Sequence, residues 1–150
     1  EATGLNIEQV LLTHGHHDHV GVLSEICQAA EAPALINKAD LGLLGGLGTK
    51  IEGSIVDGER IAIGHQLFMA RSTAGHTPGG ICLIHEQAAF VGDTLFAGSL
   101  GGTRNRSAYQ GQRQAVAEYL LSLDGAVTLF PGHGPATTVA EERANNPFFL

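Results

Sequence analysis

THGHHDH, residues 13–19, puts four histidines and an aspartate within six consecutive positions. An apolar run, Val10–Thr13, comes before the cluster and is fit for a buried strand. After it, Val20, Leu23, Ile26, Cys27 and Ala30 fall at helical spacing. The cluster therefore occupies a short loop between a strand and a helix, where alternate side chains turn toward different centres. Neutral imidazole nitrogen and carboxylate oxygen both suit a borderline-soft ion such as Zn²⁺, so His14, His16, Asp18 and His19 are candidate ligands for one metal or two. His17 is expected to point away.

Working outward, three more ligand-type residues share one placement. His76 follows the β-type run Gln66–Ser72, Asp93 follows Ala88–Val91, and His133 follows Val127–Phe130. Each sits in the loop just beyond a buried strand, where α/β proteins often place their chemistry. Glycine or proline flanks all three, in GHTPG at 75–79, GD at 92–93 and PGHGP at 131–135. Such residues let the backbone approach a crowded ligand shell closely. His65 and His85 fall in tight turns between strands and read as solvated turn residues.

The remaining sequence reads as a strand-rich α/β domain spanning 1–150. EATGLNIEQ at 1–9 resembles the end of a helix and its connection. Strands are expected at Ala34–Ile36, Arg60–Ile63, Gln66–Ser72, Ile81–Ile84, Ala88–Val91 and Val127–Phe130. A weak helical stretch is expected over Ala39–Leu44, an amphipathic helix over Gln112–Leu123, and a short last helix capped by Thr138. The chain has 150 residues and is 43% hydrophobic, enough for a sizeable core. Its formal charge of −7 opposes association with phosphate backbones. No apolar run approaches the roughly 20 residues of a membrane span. The expectation is a soluble, cytoplasmic protein that binds neither nucleic acid nor membrane. Cys27 and Cys82 lie in apolar patterns and read as small buried hydrophobes.

THGHHDHVGVL, AGHTPGG, FVGDTLFAGS and PGHGPATTVAEERANNPF, spread over residues 13–148, together resemble the metallo-β-lactamase-fold hydrolases, and within them the glyoxalase II-like branch. The resemblance implies an αββα sandwich with the site at one edge of two facing sheets. It also implies that His14, His16 and His76 hold one metal, that Asp18, His19 and His133 hold the second, and that Asp93 bridges them. Members of the family usually begin with a further stretch of the first sheet, so the chain is expected to be N-terminally truncated. Two other departures are visible. Gly98-Ser99-Leu100-Gly101 leads to Gly102 where the family commonly has arginine, which moves that charge to Arg104 or Arg106. The chain is also expected to lack the helical C-terminal extension that binds glutathione in glyoxalase II.

What the resemblance implies chemically is a metal-dependent hydrolase, a thioesterase like hydroxyacylglutathione hydrolase. Two divalent ions, Zn²⁺ first with Fe or Mn admitted by the same ligands, lower the pKa of bound water from 15.7 to about 7. The activated water attacks a thioester or related acyl carbonyl of a small-molecule substrate. Asp18 and Asp93 would serve this chemistry directly, and Arg104, Arg106 and Tyr109 would contact a substrate carboxylate. An alternative within the fold is a mononuclear iron persulfide dioxygenase using His14, His76 and Asp93. An alternative of another class is an inactive metal-binding fragment or interaction module, in which exposed edge strands would favour a homo-oligomer.

Overall fold

The computed structural model describes residues 6–150, without the side chains of residues 49 and 50. Most of the helix end read at 1–9 thus lies outside the described residues, and 6–9 are irregular. The chain then runs β1 (Val10–Leu11), α1 (His17–Val20), α2 (Leu23–Ala30) and β2 (Ala34–Ile36). Two 3₁₀ turns, Lys38–Leu43 and Gly45–Lys50, lead to β3 (Ile51–Ser54). There follow β4 (Arg60–Ile63), β5 (Gln66–Ser72), β6 (Ile81–Ile84), β7 (Ala88–Gly92), β8 (Leu95–Phe96) and β9 (Ser99–Leu100). After α3 (Arg106–Ala115) come β10 (Thr128–Pro131), β11 (Thr137–Thr138) and α4 (Val139–Asn145).

Two sheets face each other. The first is parallel, in the order β1-β2-β3; the second has the order β11-β10-β7-β6-β5-β4, antiparallel except where β10 runs parallel to β7. Side chains alternate across each strand, so every sheet offers one face inward and one outward. Ile61, Phe68, Ala70, Ile81 and Leu83 of the second sheet meet Leu11, Leu35 and Ile55 between the sheets. On the outer side of the first sheet, Ala34 and Ile36 pack with Val20, Leu23 and Leu44. On the outer side of the second, Cys82, Ala89, Val91 and Leu129 pack with Val116, Leu120 and Val139. The result is helix, sheet, sheet, helix, the αββα arrangement expected. Leu83 of β6 pairs with Phe90 of β7, and Phe90 with Phe130 of β10, so both phenylalanines share the inner face. They stack at 5.5 Å and stay 41% exposed.

Several elements differ from the sequence reading. The helix expected over Val20–Ala30 is broken after Val20, so α1 is a single turn that carries His17, Asp18 and His19. The stretch over Ala39–Leu44 is 3₁₀, started by the Asn37 side chain accepting from the Ala39 amide. Strand β3 lay unseen in TKIEGS, where no alternation announces it. Helix α3 starts at Arg106, six residues before the expected Gln112, capped by the Asn105 side chain accepting from the Ala108 amide. It runs on into one π turn, Val116–Leu120, closed by a Leu121 N–H to Val116 C=O bond. Thr138 does cap the last helix, accepting from the Glu141 amide. Cys82 is fully buried, which pushes its thiol up to about 11, while Cys27 is half-buried against the first sheet's outer core.

Candidate metal centre

The edges of both sheets end at one place. The loop after β1 delivers His14 and His16, and α1 delivers Asp18 and His19. The loop after β5 delivers His76, the end of β7 Asp93 and the end of β10 His133. Among the described residues, the donor atoms of His14, His16 and His76 lie within 4.8 Å of one another, as do those of His14, His19 and Asp93, and of Asp18, His19 and His133.

Asp93 lies between these groups. Its Oδ2 is 4.0 Å from His14 Nε2, 3.5 Å from His76 Nε2 and 3.6 Å from His133 Nε2; its Oδ1 is 3.3 Å from His19 Nε2. His76 Nε2 faces His16 Nδ1 at 2.9 Å, and His19 Nε2 faces His133 Nε2 at 3.2 Å. Asp18 Oδ2 is 3.0 Å from His133 Nε2 and 3.7 Å from His19 Nε2. Gly132 is obligatory here, because a Cβ at that position would collide with Asp93 Oδ1 and the His19 ring.

These residues fit divalent metal ions, and the observation that says so is a pair of buried atoms. His14 Nε2 and Asp93 Oδ1 make no hydrogen bond although both are shielded from solvent. Buried polar atoms without partners are costly and rare. A cation shared among these donors satisfies them, and it also accounts for ring nitrogens that face each other at hydrogen-bond distance. Burial, followed by repulsion from His19, lowers the His14 pKa to about 4, against an opposing pull from Asp93. His14 is therefore neutral at pH 7, as a ligand must be. For Asp18 desolvation is the largest single influence and acts upward, but its own backbone amide together with His19 and His133 outweighs it and holds the carboxyl below its ordinary value.

Ring orientation is fixed on one side of the centre. His76 Nδ1 donates to the Gly102 carbonyl at 2.7 Å, which leaves Nε2 to face inward, and His14 Nδ1 lies 3.3 Å from Thr13 Oγ1. Three buried side chains that the sequence did not single out support the loops. Asp40 accepts from the amides of Gly15 and Gly79. Gln112 Nε2 donates to the carbonyls of Thr94 and Gly101, holding the segment after Asp93. Glu142 accepts from the Gly98 amide, Thr137 Oγ1 and Asn146 Nδ2, which ties α4 to the β8–β9 turn. Nothing in the sequence marks them, because acids and amides on helical stretches ordinarily face water.

The other sequence candidates fall outside the donor groups. His17 is exposed on α1. His65 is exposed, but His85 is half-buried, its ring 5.2 Å from Phe68 and its Nδ1 accepting from the Gln87 amide, so it shapes a turn rather than standing solvated. Arg104 lines a groove with Gly75, Thr77 and Pro78, beside His76. Arg106 is exposed on the first turn of α3. Tyr109 lines a different groove, with Arg113 and Phe148.

Comparison with known proteins agrees with this geometry. The family model of the metallo-beta-lactamase superfamily matches residues 1–133. The hydroxyacylglutathione hydrolase GloC of Haemophilus influenzae is 33% identical over 99% of this chain and 78% of its own. Among solved structures, BLEG-1 B3 metallo-beta-lactamase superposes with a TM-score of 0.84 at 27% identity, covering 98% of this chain and 79% of that one. A di-iron-bound form of TTHA1623 superposes with a TM-score of 0.71 at 30% identity, covering 98% and 80%. The αββα layering and these matches together make the chain a member of the metallo-beta-lactamase superfamily.

Proposed function

We propose that this chain is a dinuclear metal-dependent hydrolase acting on a thioester or a related acyl compound. The observation that carries the reading is the convergence of seven donor residues in three overlapping groups around Asp93. The likeness to the Haemophilus hydroxyacylglutathione hydrolase supports the substrate class. In this assignment His14, His16 and His76 hold one ion, Asp18, His19 and His133 the other, and Asp93 serves both. When bound, the ions supply a water made acidic enough to act as nucleophile at neutral pH and a Lewis acid for the substrate carbonyl. Zinc is the ion proposed; the di-iron form of TTHA1623 makes iron the alternative.

The chain's own groups complete the chemistry. Asp18, ionised and exposed beside His133, is placed to orient a water and to accept its proton. Neutral His14 and the fixed tautomer of His76 keep nitrogen lone pairs aimed at the centre. Arg104, in the groove beside His76, is the side chain assigned to a substrate carboxylate. Arg106 and Tyr109 have weaker claims, since one is exposed on α3 and the other faces a separate groove.

Elemental analysis of the purified protein, paired with an acyl-thioester hydrolysis assay, tests this reading. Two zinc ions per chain and a turnover abolished by His76→Ala are expected. One iron with oxygen uptake on a persulfide substrate would replace hydrolysis with dioxygenase chemistry. Two bound ions without turnover of any acyl substrate would reduce the chain to a metal-binding module.

A further inference from the structure

Asp40 is fully buried on the 3₁₀ turn after β2, and none of the chemistry above uses it. Both of its carboxylate oxygens are committed to backbone amides of ligand-bearing loops. Oδ2 accepts from Gly15 N–H at 3.0 Å, between His14 and His16; Oδ1 accepts from Gly79 N–H at 2.6 Å, three residues beyond His76. The first loop leaves the three-stranded sheet and the second leaves the six-stranded sheet, so a single side chain spans the junction of the two layers. The two glycines are matched to it. A Cβ on Gly15 would stand 3.0 Å from the Asp40 carbonyl oxygen, and one on Gly79 would stand 2.8 Å from the Asp40 carboxyl carbon.

We propose that Asp40 is a positioning residue that clamps the His14/His16 loop to the His76 loop and so sets the geometry of one metal site. This rests on the assignment of those three histidines as ligands. Burying a carboxylate costs several kcal/mol unless hydrogen bonds compensate it, and a bond to an ionised acceptor is roughly twice as strong as a neutral one. A charged clamp therefore resists sliding better than a neutral side chain would. Its effect is delivered where tolerance is smallest, since His16 Nδ1 and His76 Nε2 come from the two clamped loops and stand 2.9 Å apart. One backbone bond, Ile81 N–H to Thr13 C=O at 2.9 Å, joins the same two layers, one residue before His14 and five after His76.

The test compares wild type, Asp40→Asn and Val116→Ala, the last being a cavity variant in the core under α3, remote from the clamp. Asp40→Asn keeps the shape but leaves one loop amide facing an NH₂ group, so one bond is lost. In the metal-free protein, hydrogen exchange at the Gly15 and Gly79 amides is expected to accelerate in Asp40→Asn and to stay slow in wild type. On titration with Co²⁺, Asp40→Asn is expected to bind the first ion about 10–100-fold more weakly, with an altered visible d–d spectrum. Val116→Ala, with a comparable loss of thermal stability, is expected to keep the wild-type spectrum and affinity. Where Asp40→Asn does not fold, Gly79→Ala, which retains the carboxylate and forces the loop away from it, is expected to weaken the first ion in the same direction. Cobalt spectrum and affinity unchanged within twofold in Asp40→Asn, or an equal loss in Val116→Ala, would overturn the role of Asp40 alone. Failure of the wild-type chain to take up any cobalt would instead overturn the ligand assignment, and the role with it.

Discussion

The half of the centre formed by His14, His16 and His76 is the more buried and the better held, whereas the half formed by Asp18, His19 and His133 carries the two exposed donors. His14 is 2% exposed, while the side chains of Asp18 and His133 are 58% and 55% exposed. In the more buried half, the Gly102 carbonyl orients His76 and Asp40 joins the loops. The more exposed half relies on Asp18 pairing with His133 and on the short turn that carries Asp18 and His19. Preorganised donors lose less freedom when an ion binds, and a shielded site competes less with water. The difference teaches that, in the proposed dinuclear centre, the two ions would not be equivalent: the more buried half is expected to fill first and release last.

The largest effect expected is from Asp93→Ala, which removes the carboxylate that both halves share. Uptake of both ions should be lost, and hydrolysis should fall by on the order of 10²-fold or more, the equivalent of the several kcal/mol a metal supplies. Elemental analysis and initial rates check this together. Next comes His133→Ala, confined to the more exposed half. It should reduce the metal content from two ions to one while the tighter ion stays, and retention of both would break the asymmetry argued here.

A smaller effect concerns acid. His14 is depressed from 6.5 to about 4 by burial, so the unfolded chain takes up a proton between those pH values that the folded chain refuses. The metal-free protein should hold this contribution fully above pH 6.5 and lose it as the pH falls toward 4, by on the order of 2 kcal/mol. Denaturant melts of wild type and His14→Gln across that window measure it, and only wild type should show the slope. The smallest effect is at His17, exposed and outside every donor group. His17→Ala should leave metal content unchanged and stability within about 0.5 kcal/mol.

Strands Ala34–Ile36, Arg60–Ile63 and Gln66–Ser72 were legible because their apolar residues, taken with the turns around them, fit a buried sheet. Donors were legible because imidazole and carboxylate announce themselves wherever they sit. Less legible was the start of α3, since RSAYQGQ is polar and contains Gly111, and its burial comes from Gln112 rather than from an apolar residue. The burial of Asp40, Gln112 and Glu142 was hidden for the same reason: a polar side chain has no sequence mark for being inside. No helix among the described residues is long and apolar enough to cross a membrane.

By itself, then, the sequence determined the donor chemistry, the placement of His76, Asp93 and His133 just beyond strands and a strand-rich α/β class, all of which depend on residue type and local period, while the αββα layering came from the family resemblance. Only the tertiary structure decided which half of the centre is more buried. The Asp40 carboxylate, for example, reaches loops of two sheets, 25 residues after Gly15 and 39 before Gly79 in the chain. Contacts at such separation follow from how layers stack, and no periodicity along one strand encodes them.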